Sequence, residues 1–283
     1  MAIVIREVQG LAELRAVEQL QRDVWGFADL DIVPSTHLRA AQEVGGILLG
    51  AFEGERMVGF VYGFIGLEHG RLTVHSHMLA VRPEYQGHNV GFLLKRAQRE
   101  RALARGIRRI TWTFDPLQAR NAHFNFAKLG VYADRYEVDF YGEASSSVLH
   151  QGLGTDRLWV TWPIASARVV ERLERVERGA RAQPPELWRQ WPIVNPAAAP
   201  SGAPVERELE AVLSGAPFLV EIPLDINALK RRDLETARRW RQSVQRAFLR
   251  AFAAGYIAEE FFRVEDEGRG FYLLTRTDPS VWL

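Results

Sequence analysis

Two histidines stand one residue apart in His75-Ser76-His77, directly before the apolar run Met78-Leu79-Ala80-Val81. In an extended strand side chains alternate, so both imidazoles share a face. A histidine that titrates near neutrality can take a proton from an attacking amine, directly or through water. Two readings compete with this, satisfied core histidines and two ligands of a zinc ion. No third ligand lies at a metal-binding spacing. Proton transfer is therefore the expectation, without a metal.

The next segment, Leu79 to Gly91, reads as a strand ending at Val81, a turn holding Gly87 and a helix beginning near Asn89. The first N–H groups of a helix lack partners, and with the helix dipole they form a site for phosphate. Glycine admits a ligand close to the backbone, and Asn89 tolerates the left-handed conformation better than most residues. A plain strand–turn–helix is the competing reading.

These residues must be positioned by a larger frame. At 283 residues the length suggests about two domains. Apolar residues make up 47% and charged residues 25%, an ordinary globular balance. The net charge of +1, with bases and acids interleaved, gives no electrostatic case for nucleic acid. Cysteine is absent, which excludes disulfides, cysteine nucleophiles and thiolate metal sites. No signal peptide or membrane-spanning run is read, so a cytoplasmic protein is expected. Strand-like runs cover residues 3–8, 46–52, 57–65, 72–81, 107–114, 131–141 and 158–164. Helical patterns lie at 11–25, 34–45, 91–105 and from Pro116 to Leu129, the last closed by Gly130. Residues 168–181 predict a charge-rich helix, and the Pro/Ala-rich stretch to about 215 a linker or an extended wrap. Beyond it come a strand at 217–222, a long helix at 234–254 and a hairpin at 256–275. Gly255-Tyr-Ile after that helix faintly echoes Gly130-Val-Tyr, a weak repeat.

The run Arg82-Pro-Glu-Tyr-Gln-Gly-His-Asn-Val-Gly91 resembles the acyl-CoA signature of the GNAT acyltransferases, Gln/Arg-x-x-Gly-x-Gly/Ala, with Asn89 in place of its middle glycine. The order of elements over 1–164 resembles the whole GNAT fold. The resemblance implies an α/β (α+β) fold, a mixed and mostly antiparallel sheet flanked by helices, with a smaller C-terminal α/β unit. It implies that the backbone of Gln86, Gly87, His88, Asn89, Val90 and Gly91 holds the CoA pyrophosphate, and that Leu79 and Val81 pair with the pantetheine arm. Asn121-Ala-His-Phe-Asn-Phe-Ala-Lys-Leu-Gly130 resembles a second GNAT segment and adds Asn121 and Phe126 to the cofactor side. Phe126 stands where the family has a tyrosine acid, which leaves Tyr132 and Tyr136 as donors, or a thiolate that departs unprotonated. Core packing is the plainer role for Phe124 or Phe126. The strand His75–Val81 is similar to that of arylalkylamine N-acetyltransferases, where paired histidines remove the proton. Expected domains are 1–164 for the transferase, 165–215 for the charged helix and linker, and 216–283 for the extension. The expected function is N-acyl transfer from acetyl-CoA or another acyl-CoA to a small amine by His77 or His75. No nucleic acid or membrane partner is expected, and a homodimer is left open as the assembly. Similarity to succinyltransferase relatives suggests succinyl-CoA with an amino acid, and Arg120 or Arg157 as carboxylate partners. The rival is a non-catalytic acyl-CoA-binding module with a degenerate site.

Overall fold

The computed structural model describes residues 2–142, 152–180, 182–199, 202–209 and 213–282. The described residues up to Trp112 pack as one compact unit and those from Thr113 onward as another.

The first unit runs β1 (Ile3–Glu7), α1 (Gly10–Trp25), α2 (Ser35–Glu43), β2 (Ile47–Glu53), β3 (Arg56–Glu68), β4 (Arg71–Val81) and α3 (Val90–Ala104). It also takes the start of β5 (Ile110–Phe114). The apolar spacing in α1 buries Leu14, Val17 and Leu20, and Gly26 ends the helix in the left-handed region at φ 66°. Those side chains share a core with Leu38 and Ala41 of α2, Phe60 and Tyr62 of β3, and Met78 and Ala80 of β4. Strands β1 to β4 pair antiparallel in sequence order. β4 then pairs parallel with β5 at Val74↔Ile110 and His75↔Thr111.

One irregularity organises this unit. β3 and β4 pair at Tyr62↔Met78 and again at Phe64↔His75. Between those pairs β3 has only Gly63, while β4 has both Ser76 and His77, so β4 is bulged there. Simple alternation puts His75 and His77 on the face of Leu79. The bulge changes this: Met78 and Ala80 join the helix-covered core with Tyr62, and Leu79 and Val81 turn to the opposite face. Gly63 faces the bulge because nothing larger fits. A Cβ there would lie 2.9 Å from Gln98 Nε2, the His75 carbonyl oxygen and Val74 Cγ1.

In the second unit, α4 (Ala119–Ala122) passes into a π-helical turn, His123–Leu129, closed by Gly130. β6 (Tyr132–Glu137) and β7 (Arg157–Trp162) form an antiparallel pair. The expected strand over 131–141 is shorter because the chain turns at Asp139, whose φ is 46°. After α5 (Ala167–Glu177) come β8 (Phe218–Pro223), α6 (Ile226–Arg232), α7 (Leu234–Ala253), β9 (Ile257–Val264) and β10 (Arg269–Thr275).

The weak repeat in the sequence is a topological one. β8, α7 and the β9–β10 hairpin retrace β5, α4 and the β6–β7 hairpin. The order within each set is β5-β7-β6 and β8-β10-β9, and β6 and β9 are neighbours. Both helices end at a glycine of positive φ, Gly130 at 81° and Gly255 at 78°. Ile193 bridges Leu219 in parallel, as Val74 does Ile110. The Pro/Ala-rich stretch therefore begins as a wrap: Asn195 makes two hydrogen bonds to the backbone of Glu221, and Trp188 packs on Phe262 and Phe271.

Gly63→Val should cost about 1–3 kcal/mol through overpacking against backbone at the bulge. Urea unfolding beside the wild type checks this. An unchanged midpoint would mean that β3 and β4 can part without penalty.

Candidate functional site

The bulge gathers four aromatic or imidazole rings on the helix-covered side of β3 and β4. The Phe64 ring lies 5.4 Å from His75 and 5.9 Å from His77. Tyr62 meets His77 edge-on at 6.2 Å and His37 of α2 at 6.0 Å. The Tyr62 hydroxyl and His37 Nε2 are hydrogen-bonded at 2.9 Å. His75 Nδ1 is 3.3 Å from Thr111 Oγ1 on β5. The two histidines face one side, as expected, but through the bulge rather than through strict alternation.

Their environments differ. Burial, then the neighbouring His77 and Lys95, pull His75 down from 6.5 to about 4. It is neutral at pH 7 and a weak base. His77 is exposed to solvent, although the protein packed around it and then His37 lower its pKa as well. Of the two, His77 is the more open to solvent. Burial raises the pKa of Tyr62, so its hydroxyl keeps its proton.

On the opposite face a lysine is buried. Lys95 Nζ donates to Ser76 Oγ at 2.7 Å and to Gln98 Oε1 at 3.3 Å, and sits 3.6 Å over the centre of the Trp112 ring. Sequence reasoning missed Lys95 and Tyr62. The signal for Lys95 was present: it lies inside the buried stripe Val90, Phe92, Leu94, Gln98 and Ala102 of α3.

The turn after β4 has the expected conformation. Gly87 has φ 89°, and Asn89 is left-handed at φ 59° immediately before α3. The segment from Gln86 to Asn89 is exposed, while Val90 is buried. Gln86 Nε2 donates to the Val81 carbonyl at 3.0 Å, and Tyr85 is tied to Glu53 at 2.6 Å. Thus His75, His77, Leu79, Val81 and the residues from Gln86 to Gly91 all belong to one compact unit.

The remaining expected site residues belong to the second unit. Asn121 is exposed on α4. Phe126 is 0% exposed and packs on Phe114 and Tyr272, the core role weighed for it. Tyr132 is buried beside Trp282. Tyr136 donates to Asp156 at 2.7 Å, and its pKa is pushed well up by burial. Asp115 caps its own turn through the Leu117 N–H, as its place before Pro116 suggests, and also pairs with Arg241 of α7 at 2.8 Å. Arg157 is buried in the same unit, its guanidinium over the Tyr141 ring, and Arg120 is exposed. Among the described residues no group of three or more His, Asp or Glu could hold a metal, and no helix is long and apolar enough to cross a membrane.

Residues 14–131 match the model of the acetyltransferase (GNAT) family. A comparison with curated protein sequences finds no match. Among solved structures, the ribosomal-protein-S18-alanine N-acetyltransferase of Escherichia coli aligns over 59% of this chain and 96% of its own, at 14% identity and a TM-score of 0.46. The aminoglycoside 6'-acetyltransferase type Ii aligns over 58% and 97%, at 17% identity and 0.45. The PaiA N-acetyltransferase of Thermoplasma acidophilum, solved with coenzyme A, aligns over 58% and 99%, at 15% identity and 0.40.

The distinct states of the two histidines are measurable. In a proton NMR titration His75 should show a midpoint near 4, well below the usual 6.5. Because the unfolded chain binds a proton there that the folded one refuses, stability should fall as pH drops from 6.5 towards 4. A His75 midpoint near 6.5 would contradict the buried, charge-coupled setting.

Proposed function

We propose, from the match of residues 14–131 to the acetyltransferase (GNAT) family model, that the protein is an acyl-CoA-dependent N-acyltransferase acting on a small-molecule amine. The observation that carries the reading is the run from His75 to Gly91. It joins two histidines at a bulge, a strand whose parallel partner pairs at only two positions among the described residues, and a left-handed turn opening a helix.

The acyl-CoA pyrophosphate would lie on the exposed N–H groups of the turn from Gln86 to Gly91, where the dipole of α3 adds to them. Leu79 and Val81 offer backbone groups to the pantetheine arm in the manner of an added strand. The amine attacks the thioester carbon, and the Leu79 N–H stabilises the developing oxyanion. His77 takes the amine proton, the C–S bond breaks, and CoA leaves as thiolate. The free thiol pKa of about 8.5 makes that departure tolerable without a tyrosine at position 126. Tyr132 remains proposed as a catalytic residue and Asn121 as a cofactor-binding one. Acetyl- and succinyl-CoA are the proposed donors, and an amino acid is the narrower acceptor, with Arg120 or Arg157 for a carboxylate. The transferase domain is proposed to span 1–164.

The competing function is acyl-CoA binding without turnover, favoured by Asn89 and by the buried Phe126. Thiol release with acetyl- and succinyl-CoA across a panel of amino acids and other amines separates the two. CoA bound tightly with no release on any amine would establish the module.

Gly91→Val should weaken CoA binding in calorimetry and leave the thermal melt unchanged, since phosphate must approach the backbone there. Unaltered affinity in a folded variant would remove this turn from the CoA site. His77→Ala should lower the rate about 10²–10⁴-fold at neutral pH. The deficit should shrink at high pH, where free amine is abundant. A pH-independent loss together with a lower melting temperature would assign His77 to the core instead.

A further inference from the structure

The buried lysine of α3 takes no part in the chemistry just described, yet it meets the sheet at the bulge. Lys95 reaches Ser76, one of the two residues that form the bulge in β4. Its neighbour one turn on, Gln98, lies against Gly63, the single β3 residue facing that bulge. Its Nζ also covers the ring of Trp112, one residue beyond the last β4–β5 pair, His75↔Thr111. One amine therefore touches β4 and β5 where they part, and through Gln98 it is tied to the residue that faces the bulge. Both Lys95 and Ser76 are at least nine-tenths buried.

We propose that Lys95 is a positioning residue that holds β4 in its bulged form, and so sets where His77 and the Leu79–Val81 backbone stand. This rests on the acyltransferase reading of that strand. Two neutral oxygens and an aromatic face are good partners for an ammonium. Burial acts the other way and lowers the lysine well below its usual range. The groups around His75 are His77 from its own strand, Phe64 from β3 and Thr111 from β5, and Lys95 of α3 acts on it by charge from the other face of the sheet. His37 of α2 faces His77. A positive charge on Lys95 opposes a proton on His75, so removing it should raise the His75 midpoint above about 4.

Lys95→Met keeps the stem and removes the donors and the charge. Apolar replacement of a buried charge is often neutral or stabilising, so the melting temperature should not fall. Three readouts should change. The His75 midpoint moves up and the His77 ring resonances shift in NMR of the free protein. CoA affinity weakens in calorimetry as the Leu79–Val81 edge moves. With an active amine, kcat/KM falls about 10²-fold, the scale of a misplacement near 1 Å. Lys95→Arg, which restores donors and charge, should recover part of each. A lower melting temperature in Lys95→Met with wild-type histidine titration would make Lys95 only a core residue and overturn the proposal. So would a folded Lys95→Met variant with wild-type titration and wild-type CoA affinity. The NMR arm needs no substrate. If the protein transfers no acyl group to any amine, the acyltransferase reading fails while the NMR arm still tests the clamp.

Discussion

One extra residue in β4 constrains the whole first unit. A β-strand has a period of two, so an insertion exchanges every side chain beyond it between faces. On one side of Ser76 and His77 the strand gives His75 to the face of Phe64. On the other side it gives Met78 and Ala80 to the core under α1 and α2. The core there is apolar and closed, so the register cannot slip without exposing Met78. The bulge therefore turns the stability of a hydrophobic core into a fixed place for two imidazoles. Gly63 is the matching concession on β3, and the buried amine of Lys95 sits behind it.

The second unit is held by different physics. Arg241 and Asp115 form a buried pair whose side chains are only 8% and 11% exposed. The guanidinium holds Asp115 in its charged form against the burial that would protonate it. Arg241 also donates to the Leu153 carbonyl, and Tyr136 beside it binds Asp156. Around this cluster Phe248 stacks on Tyr136 and meets Tyr272 edge-on. Such a cluster adds less to stability than its charges suggest, because desolvation offsets the attraction. Its tolerance for misplacement is small, since a displaced partner leaves a bare charge in an apolar interior.

Much of this was legible from residue order. The strands and helices of the first unit and the left-handed Asn89 follow from local chemistry. The bulge was not legible, because a single-residue insertion leaves the apolar pattern of β4 intact on both sides. The consequence for Leu79 and Val81 was lost with it. The partner of Asp115, Arg241, lies 126 residues away, beyond the reach of any local rule. The π-helical turn at His123–Leu129 also escaped, since its apolar positions fit an ordinary helix ending at Gly130. The echo between Gly130 and Gly255 was visible only as a trace. Its meaning came from strand order, which composition does not encode.

The pairing of β6 with β9, registered at Ala133↔Ala258, has a consequence for assembly. An unpaired strand edge invites any other edge that diffuses past it. Here the edge of β6 is met by a strand of the same chain, in a segment with the same topology as its own. Tethering makes that encounter intramolecular, so its occupancy depends on chain geometry and not on how much protein is present. Dilution cannot vacate it, and a second molecule must compete with a neighbour that never leaves. In effect the segment that carries β9 serves as a resident partner, giving β6 a lateral contact that is the same at any concentration.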